Sequence, residues 1–241
     1  MHIKHNSMIK FIAIAGLSLT ALNTFAQGSQ PVVLVSGRVV NERTMEAVEA
    51  RVIYEILPDG SEAGIARSDP ENGNYKIILP RGKNYGYRGY AEGYYCVSKN
   101  CDVTQLENYT EIEEQNLYMA PLIADQIVRL NNIFFENKSA EIKSESTPEL
   151  NRFYEFMKVN KKLVIELQGH TDNKGDSTEN LTLSEKRAKA VADYLISKGI
   201  KAERIQVKGF GQKFPIAFNT EKEGREMNKR IEFKVISTGL K

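Results

Sequence analysis

Apolar and polar positions follow two different patterns along this chain. From Pro31 to about Met119, short β-branched or aromatic runs recur: "VVLVSGRVV", "EARVIYEIL" and "GNYKIILP". Clusters of Gly, Pro, Asn and Asp divide them, and such regular spacing predicts a small antiparallel β-sandwich. "PDGSEAG" and "DPENGNY" carry turn chemistry, with Gly60 and Gly73 able to take positive φ at little steric cost. "YGYRGYAEGYY" is dense in tyrosine, which strands favour and whose polar tip can hydrogen-bond.

From Leu130 onwards, strands and helices are expected to alternate. "NNIFF" reads as a strand, and Thr147-Pro148-Glu149 as a helix start with Leu150, Phe153 and Met157 on one face. "KKLVIELQ" alternates Leu163, Ile165 and Leu167 with Val164, Glu166 and Gln168, as a half-covered strand does. A second helix is expected from about Thr182 to Lys198. Its signals are the capping-box spacing of Thr182 and Glu185, and Gly199 as the stop. "RIQVKGFG" and "NKRIEFKVI" close the pattern as strands, giving a β-α-β-α-β-β two-layer α/β sandwich. The division is therefore a first domain at 31–119 and a second at 130–238, joined near "YMAPLIADQ".

The first residues set the compartment. "MHIKHNSMIKFIAIAGLSLTALNTFAQ" has a basic start, an apolar run from Phe11 to Leu22 and a small-residue ending at Thr24-Phe25-Ala26. The run is short of the roughly 20 residues of a membrane span. It predicts a signal peptide at 1–26, with Gln27 first in an exported chain. In that setting Cys96 and Cys101 read as a short-loop disulfide rather than a redox motif. A net charge of +2 over 241 residues argues against nucleic-acid or membrane-surface binding through a basic stripe.

Few catalytic chemistries remain. His170 is the sole histidine beyond the first five residues, and no "GxSxG" elbow is present. One histidine with no free cysteine is a poor zinc set, and in "DNKGD" Lys174 would fall on a calcium-ligand position. Gly209-Phe210-Gly211 reads as a turn, so no cofactor is expected. A recognition site is left. "GHTDNKG" ends a strand and "NLTLSEKRAKAV" begins a helix. Arg187, in the first turns, can fork onto a carboxylate and Asp172 can accept from an ammonium. A plain Asp172–Arg187 salt bridge fits the spacing equally well.

Two resemblances sharpen this. "SGRVVNERTMEAVEARV" and "SDPENGNYKIILPRGKNYGYRGYAEGY" resemble the carboxypeptidase-regulatory-like, transthyretin-type domain, whose matching residues imply fold and no peptidase. "IELQGHTDNKG", "NLTLSEKRAKAVADYLISKGI", "RIQVKGFGQKFPIAFN" and "EGREMNKRIEF" resemble the OmpA-like peptidoglycan-binding domain of OmpA, Pal and MotB proteins. That likeness implies a wall ligand, the diaminopimelate of the stem peptide. It puts Asp172 on the ammonium, Arg187 on the carboxylate, and Asn180 in the role of ordering the loop and touching ligand. Asn137 falls on a loop whose backbone lines the pocket and Arg230 on a further pocket arginine, while Arg225 and Asn228 are structural. Lys229 stands where the family more commonly has arginine.

The expectation is a non-catalytic periplasmic protein that tethers an outer-membrane or envelope partner, held by the first domain, to peptidoglycan. Rival readings are an adaptor subunit of an envelope secretion or gliding machine, and a wall-modifying enzyme, against which the missing base and metal ligands count.

Overall fold

In the computed structural model the described residues are 32–239, so the expected signal peptide lies outside them. The N-terminal half holds nine strands: β1 (Val32–Asn41), β2 (Arg51–Leu57), β3 (Ser61–Arg67), β4 (Asn74–Pro80) and β5 (Asn84–Tyr90), then β6 (Tyr94–Cys96), β7 (Lys99–Asp102), β8 (Thr110–Ile112) and β9 (Leu117–Pro121). One sheet runs β4-β1-β9-β6, with β8 also on β1, and the other β3-β2-β5-β7. Alternation builds the core between them. Tyr75, Ile77 and Leu79 of β4 are buried while Asn74, Lys76 and Ile78 are exposed. They meet Val33, Val35, Tyr85 and Tyr87 in one cluster.

Two expectations change here. "SEAG" is not wholly turn: the chain reverses at Asp59-Gly60 and enters β3, an exposed edge strand with little apolar signal. Cys96 and Cys101 are buried free thiols, so the expected disulfide is not formed in the structure. They stand on β6 and β7, which belong to different sheets facing the same core.

The C-terminal half comprises β10 (Ile127–Leu130), α1 (Thr147–Val159), β11 (Val164–His170), α2 (Ser177–Ser197), β12 (Ile205–Gly211), α3 (Lys222–Asn228) and β13 (Ile231–Ser237). Its sheet order is β10-β13-β11-β12, with β11 and β12 parallel and the other pairs antiparallel. α1 and α2 bury Leu150, Phe153, Met157, Ala188, Val191 and Leu195 against Ile165, Leu167, Ile231, Phe233 and Val235. The two-layer reading holds, with corrections. The first strand is Ile127–Leu130, and "NNIFF" is a loop with an isolated bridge from Phe135 to Ile142. α3 separates the last two strands, so the order is β-α-β-α-β-α-β. The N-cap of α1 is Ser146, whose hydroxyl bonds the backbone of Phe134 instead of the helix.

α2 begins five residues before Thr182. Asp176 caps it, its carboxylate accepting from the backbone N–H groups of Thr178 (2.8 Å) and Glu179 (3.0 Å). Two bonds accepted by one Asp176 oxygen outcompete the weaker Thr182 signal, whose hydroxyl turns back to the Thr178 carbonyl. Gly199 does take the left-handed conformation that stops the helix.

The halves meet along a seam. Tyr95 packs edge-on against Phe156 (5.7 Å between centroids) and Phe233 (6.0 Å), inside the C-terminal cluster. Around it, Arg51 pairs with Glu155 at 3.0 Å, and Arg152 bridges Glu55 and Glu149. Burial pushes the Glu55 carboxyl up, with Arg152 opposing, and lowers Arg152 less than its two carboxylates raise it.

Candidate functional site

The site forms where β11 runs out. Gly169 lies beneath α2, and a Cβ there would collide with the Ser184 carbonyl. On β12, a Cβ on Gly209 would sit 2.7 Å from the Leu181 carbonyl oxygen and 2.7 Å from Ser184 Oγ. These glycines let helix and sheet backbones touch, so Gly209 is part of a strand and not the expected turn. Ser184 Oγ completes the contact by accepting from Gly211 N at 2.9 Å.

Beyond His170 the chain loops to Asp176. Asn180, buried on α2, donates to the carbonyls of Lys174 (3.0 Å) and Asp172 (3.5 Å) and to Gln212 Oε1 (3.0 Å). One amide thereby pins the loop to both neighbouring segments. Asp172 is half-buried, and its carboxylate accepts from Lys174 N at 3.0 Å.

Arg187 sits in the third turn of α2, past the reach of the helix N-terminus, and is 7% exposed. Nε donates to the Ser139 carbonyl at 2.9 Å and a terminal nitrogen to that of Glu136 at 3.5 Å. The guanidinium lies 5.0 Å from the centre of the Phe135 ring. Burial lowers its pKa while the Asp172 charge acts the other way. Among the described residues it forms no salt bridge, so the Asp172–Arg187 pair that spacing allowed is not made. A cation buried without a carboxylate is costly to the fold, which makes Arg187 a candidate for ligand contact.

Arg187 lines a cavity of about 510 Å³ with Asn137 and Arg230, and with Arg129, Lys143 and Lys229. Glu136 and Glu226 are the acids on its wall, so the surroundings favour a carboxylate. Nε of Arg129 is buried and unpaired among the described residues. Asp172 and Asn180 are not on this wall; Asn180 lines an adjoining hollow with Lys174 and Lys186.

Arg230 is differently placed. Its Nε pairs with Glu232 at 2.6 Å and a terminal nitrogen donates to the Phe214 carbonyl at 3.1 Å. Nε2 of His170 lies 3.3 Å from the other Glu232 oxygen, without hydrogen-bond alignment, and its ring stacks on Phe210. Burial pushes the Glu232 carboxyl up, but His170 and Arg230 overcome it and hold it at about 2. Asn228, fully buried, accepts from Ile216 N and Ala217 N, and Arg225 donates to the carbonyls of Asn219 and Thr220. Both fix the loop beside the pocket.

Sequence reasoning missed Arg129, Phe135, Gln212 and Glu232. The sole signal was position: Phe135 lies within "FFENKSAEI" and Glu232 two residues after Arg230. Among the described residues no three His, Cys, Asp or Glu side chains could hold a metal ion.

Residues 134–229 match the OmpA family. The peptidoglycan-binding protein ArfA of Mycobacterium tuberculosis is 38% identical over 103 residues, 43% of this chain and 32% of that protein. The peptidoglycan-associated lipoprotein of Pseudomonas putida is 30% identical over 105 residues, 44% of this chain and 63% of that protein. The chain thus spans less than two thirds of the length of either relative. Among solved structures, the cell wall anchor of the T6SS from Pseudomonas aeruginosa is 32% identical, covering 46% of this chain and 79% of that one, with a TM-score of 0.40.

Proposed function

We propose that this chain, which carries an OmpA family domain at residues 134–229, is a non-catalytic anchor that binds peptidoglycan in the periplasm. The observation that carries the reading is Arg187, buried beside a basic cavity with no carboxylate of its own. A ligand carboxylate supplies the missing charge and receives the guanidinium fork. Asp172, close enough to act on Arg187 electrostatically, accepts from an ammonium on the same ligand carbon. An amino-acid zwitterion such as the free end of diaminopimelate meets both demands. Arg230, Asn137 and Asn180 complete the site, Asn180 by holding the Asp172 loop in shape. The names of the relatives, a peptidoglycan-binding protein and a peptidoglycan-associated lipoprotein, support peptidoglycan as what is bound.

In this reading residues 31–119 grip an outer-membrane or envelope partner, and export follows from the segment at 1–26. Many stem peptides on one wall turn a weak site into lasting retention. The test is pelleting with isolated sacculi. Asp172→Ala and Arg187→Ala should each bind about tenfold to hundredfold more weakly. Circular dichroism should show both folded. Arg187→Lys should fail in large part, since a point charge cannot replace the fork. A wall with lysine in place of diaminopimelate lacks the carboxylate and should bind poorly. Folded variants that pellet like the unmodified chain would remove this pocket from the reading.

A further inference from the structure

A second cavity, of about 760 Å³, opens along the seam between the halves and adjoins the first. The two share Asn132 and Phe134, which line both. Its polar walls carry a group of neutral side chains, with Asn84, Ser98, Asn100 and Asn131 joining Asn132. Its charges come close to balance, Glu55, Glu145 and Glu149 against Arg88 and Arg152, and Arg152 already bridges Glu55 and Glu149. With one acid in excess the cavity offers an anion no attraction, unlike its basic neighbour.

What it offers is hydrogen bonding beside flat apolar surface. Tyr95 and Phe134 supply rings and Pro58 and Pro148 supply aliphatic faces. Arg88 is held by Nε to Ser98 Oγ at 2.8 Å, and one terminal nitrogen lies only at 4.0 Å from Glu149, so strong donors remain for a ligand. Oδ1 of Asn84 is buried with no partner among the described residues. An orphaned acceptor of this kind costs stability unless something donates to it. Carboxamides that both donate and accept, set against rings, fit a molecule with hydroxyls around an apolar ring face.

We propose that this seam cavity is a carbohydrate subsite that takes the glycan of the wall while the attached peptide enters the Arg187 pocket. The proposal rests on the function given above. Both halves build the subsite, so the N-terminal half becomes part of wall recognition as well as a grip for a partner.

The experiment is calorimetry on the full chain with two probes: the free stem peptide ending in diaminopimelate, and the same peptide on its disaccharide. Two or three added hydrogen bonds should make the disaccharide-peptide bind about tenfold tighter than the peptide. Asn84→Ala, and independently the exposed Asn100→Ala, should erase most of that gain and leave peptide affinity unchanged. Equal affinity for the two probes, with the peptide binding measurably, would overturn the subsite and spare the peptide pocket. So would a tenfold gain that both variants retain. Tight binding of the disaccharide-peptide with no binding of the peptide would overturn the pocket's role and keep the subsite. If neither probe binds, both readings fall.

Discussion

The seam and the Arg187 pocket both bury charge, and they do so in opposite ways. At the seam every buried cation faces a carboxylate: Arg152 bridges Glu55 and Glu149, and Arg88 lies near Glu149. In the pocket Arg187 reaches only backbone carbonyls and a ring, and Arg129 Nε reaches nothing among the described residues. The fold pairs Arg152 at the seam and Arg230 with Glu232 beside the pocket, and leaves Arg187 without a carboxylate among the described residues. Buried charge that is paired holds structure; the unpaired charge of Arg187 is the feature on which the proposed site rests.

The strongest way to break this contrast is at the seam. Arg152→Ala leaves two carboxylates buried without their cation, and should cost roughly 3–5 kcal/mol of stability in a urea titration. A loss below about 1 kcal/mol, as for a surface pair, would erase the distinction. Next comes Arg187→Ala. Its loss of wall binding, about tenfold to hundredfold, equals roughly 1.4–2.8 kcal/mol, and its urea midpoint should move less than that of Arg152→Ala.

Acid sharpens the comparison further. Glu232 titrates at about 2 in the fold against an ordinary 4.5, so the unfolded chain takes up its proton first. The stability it contributes is complete above about pH 4.5 and is lost as pH falls through about 2. A Glu232→Gln variant should therefore lose less stability than the native chain between pH 5 and roughly pH 2, followed by thermal melts. The smallest effect belongs to the exposed Lys189–Asp193 pair on α2, at 2.7 Å. Asp193→Ala should shift stability by at most about 0.5 kcal/mol and leave wall binding unchanged.

How much of this the sequence disclosed depended on range. Alternation in β13, in β11 as far as Leu167, and on the apolar face of α2 follows from neighbours in the chain and is kept, whereas Gln168, expected opposite Leu167, is buried as well. α2 starts ahead of Thr182 because Asp176 accepts from two backbone N–H groups, a cap that the Thr182–Glu185 spacing does not reveal. "NNIFF" has strand composition, but Ile133 and Phe135 serve a loop that Arg187 holds from about fifty residues away in sequence. The seam was illegible for the same reason: Glu55 and Arg152 gain their meaning only from each other, 97 positions apart. Motif resemblance pointed to Arg187 as a site residue; that it lacks a counterion needed coordinates.

Asn160 carries a consequence of its own. Its amide ends α1 by donating to the Phe156 carbonyl, and its Oδ1 accepts from Gly93 N at 2.6 Å, on the other half of the chain. Its carbonyl also receives Arg204 at 2.6 Å. A side chain that terminates a helix of one half while satisfying a buried donor of the other should couple the unfolding of the two halves, together with the Tyr95 and Arg152 contacts. Heating should yield a single calorimetric peak whose enthalpy matches its van't Hoff value. With Asn160→Ala, the peak should broaden or split.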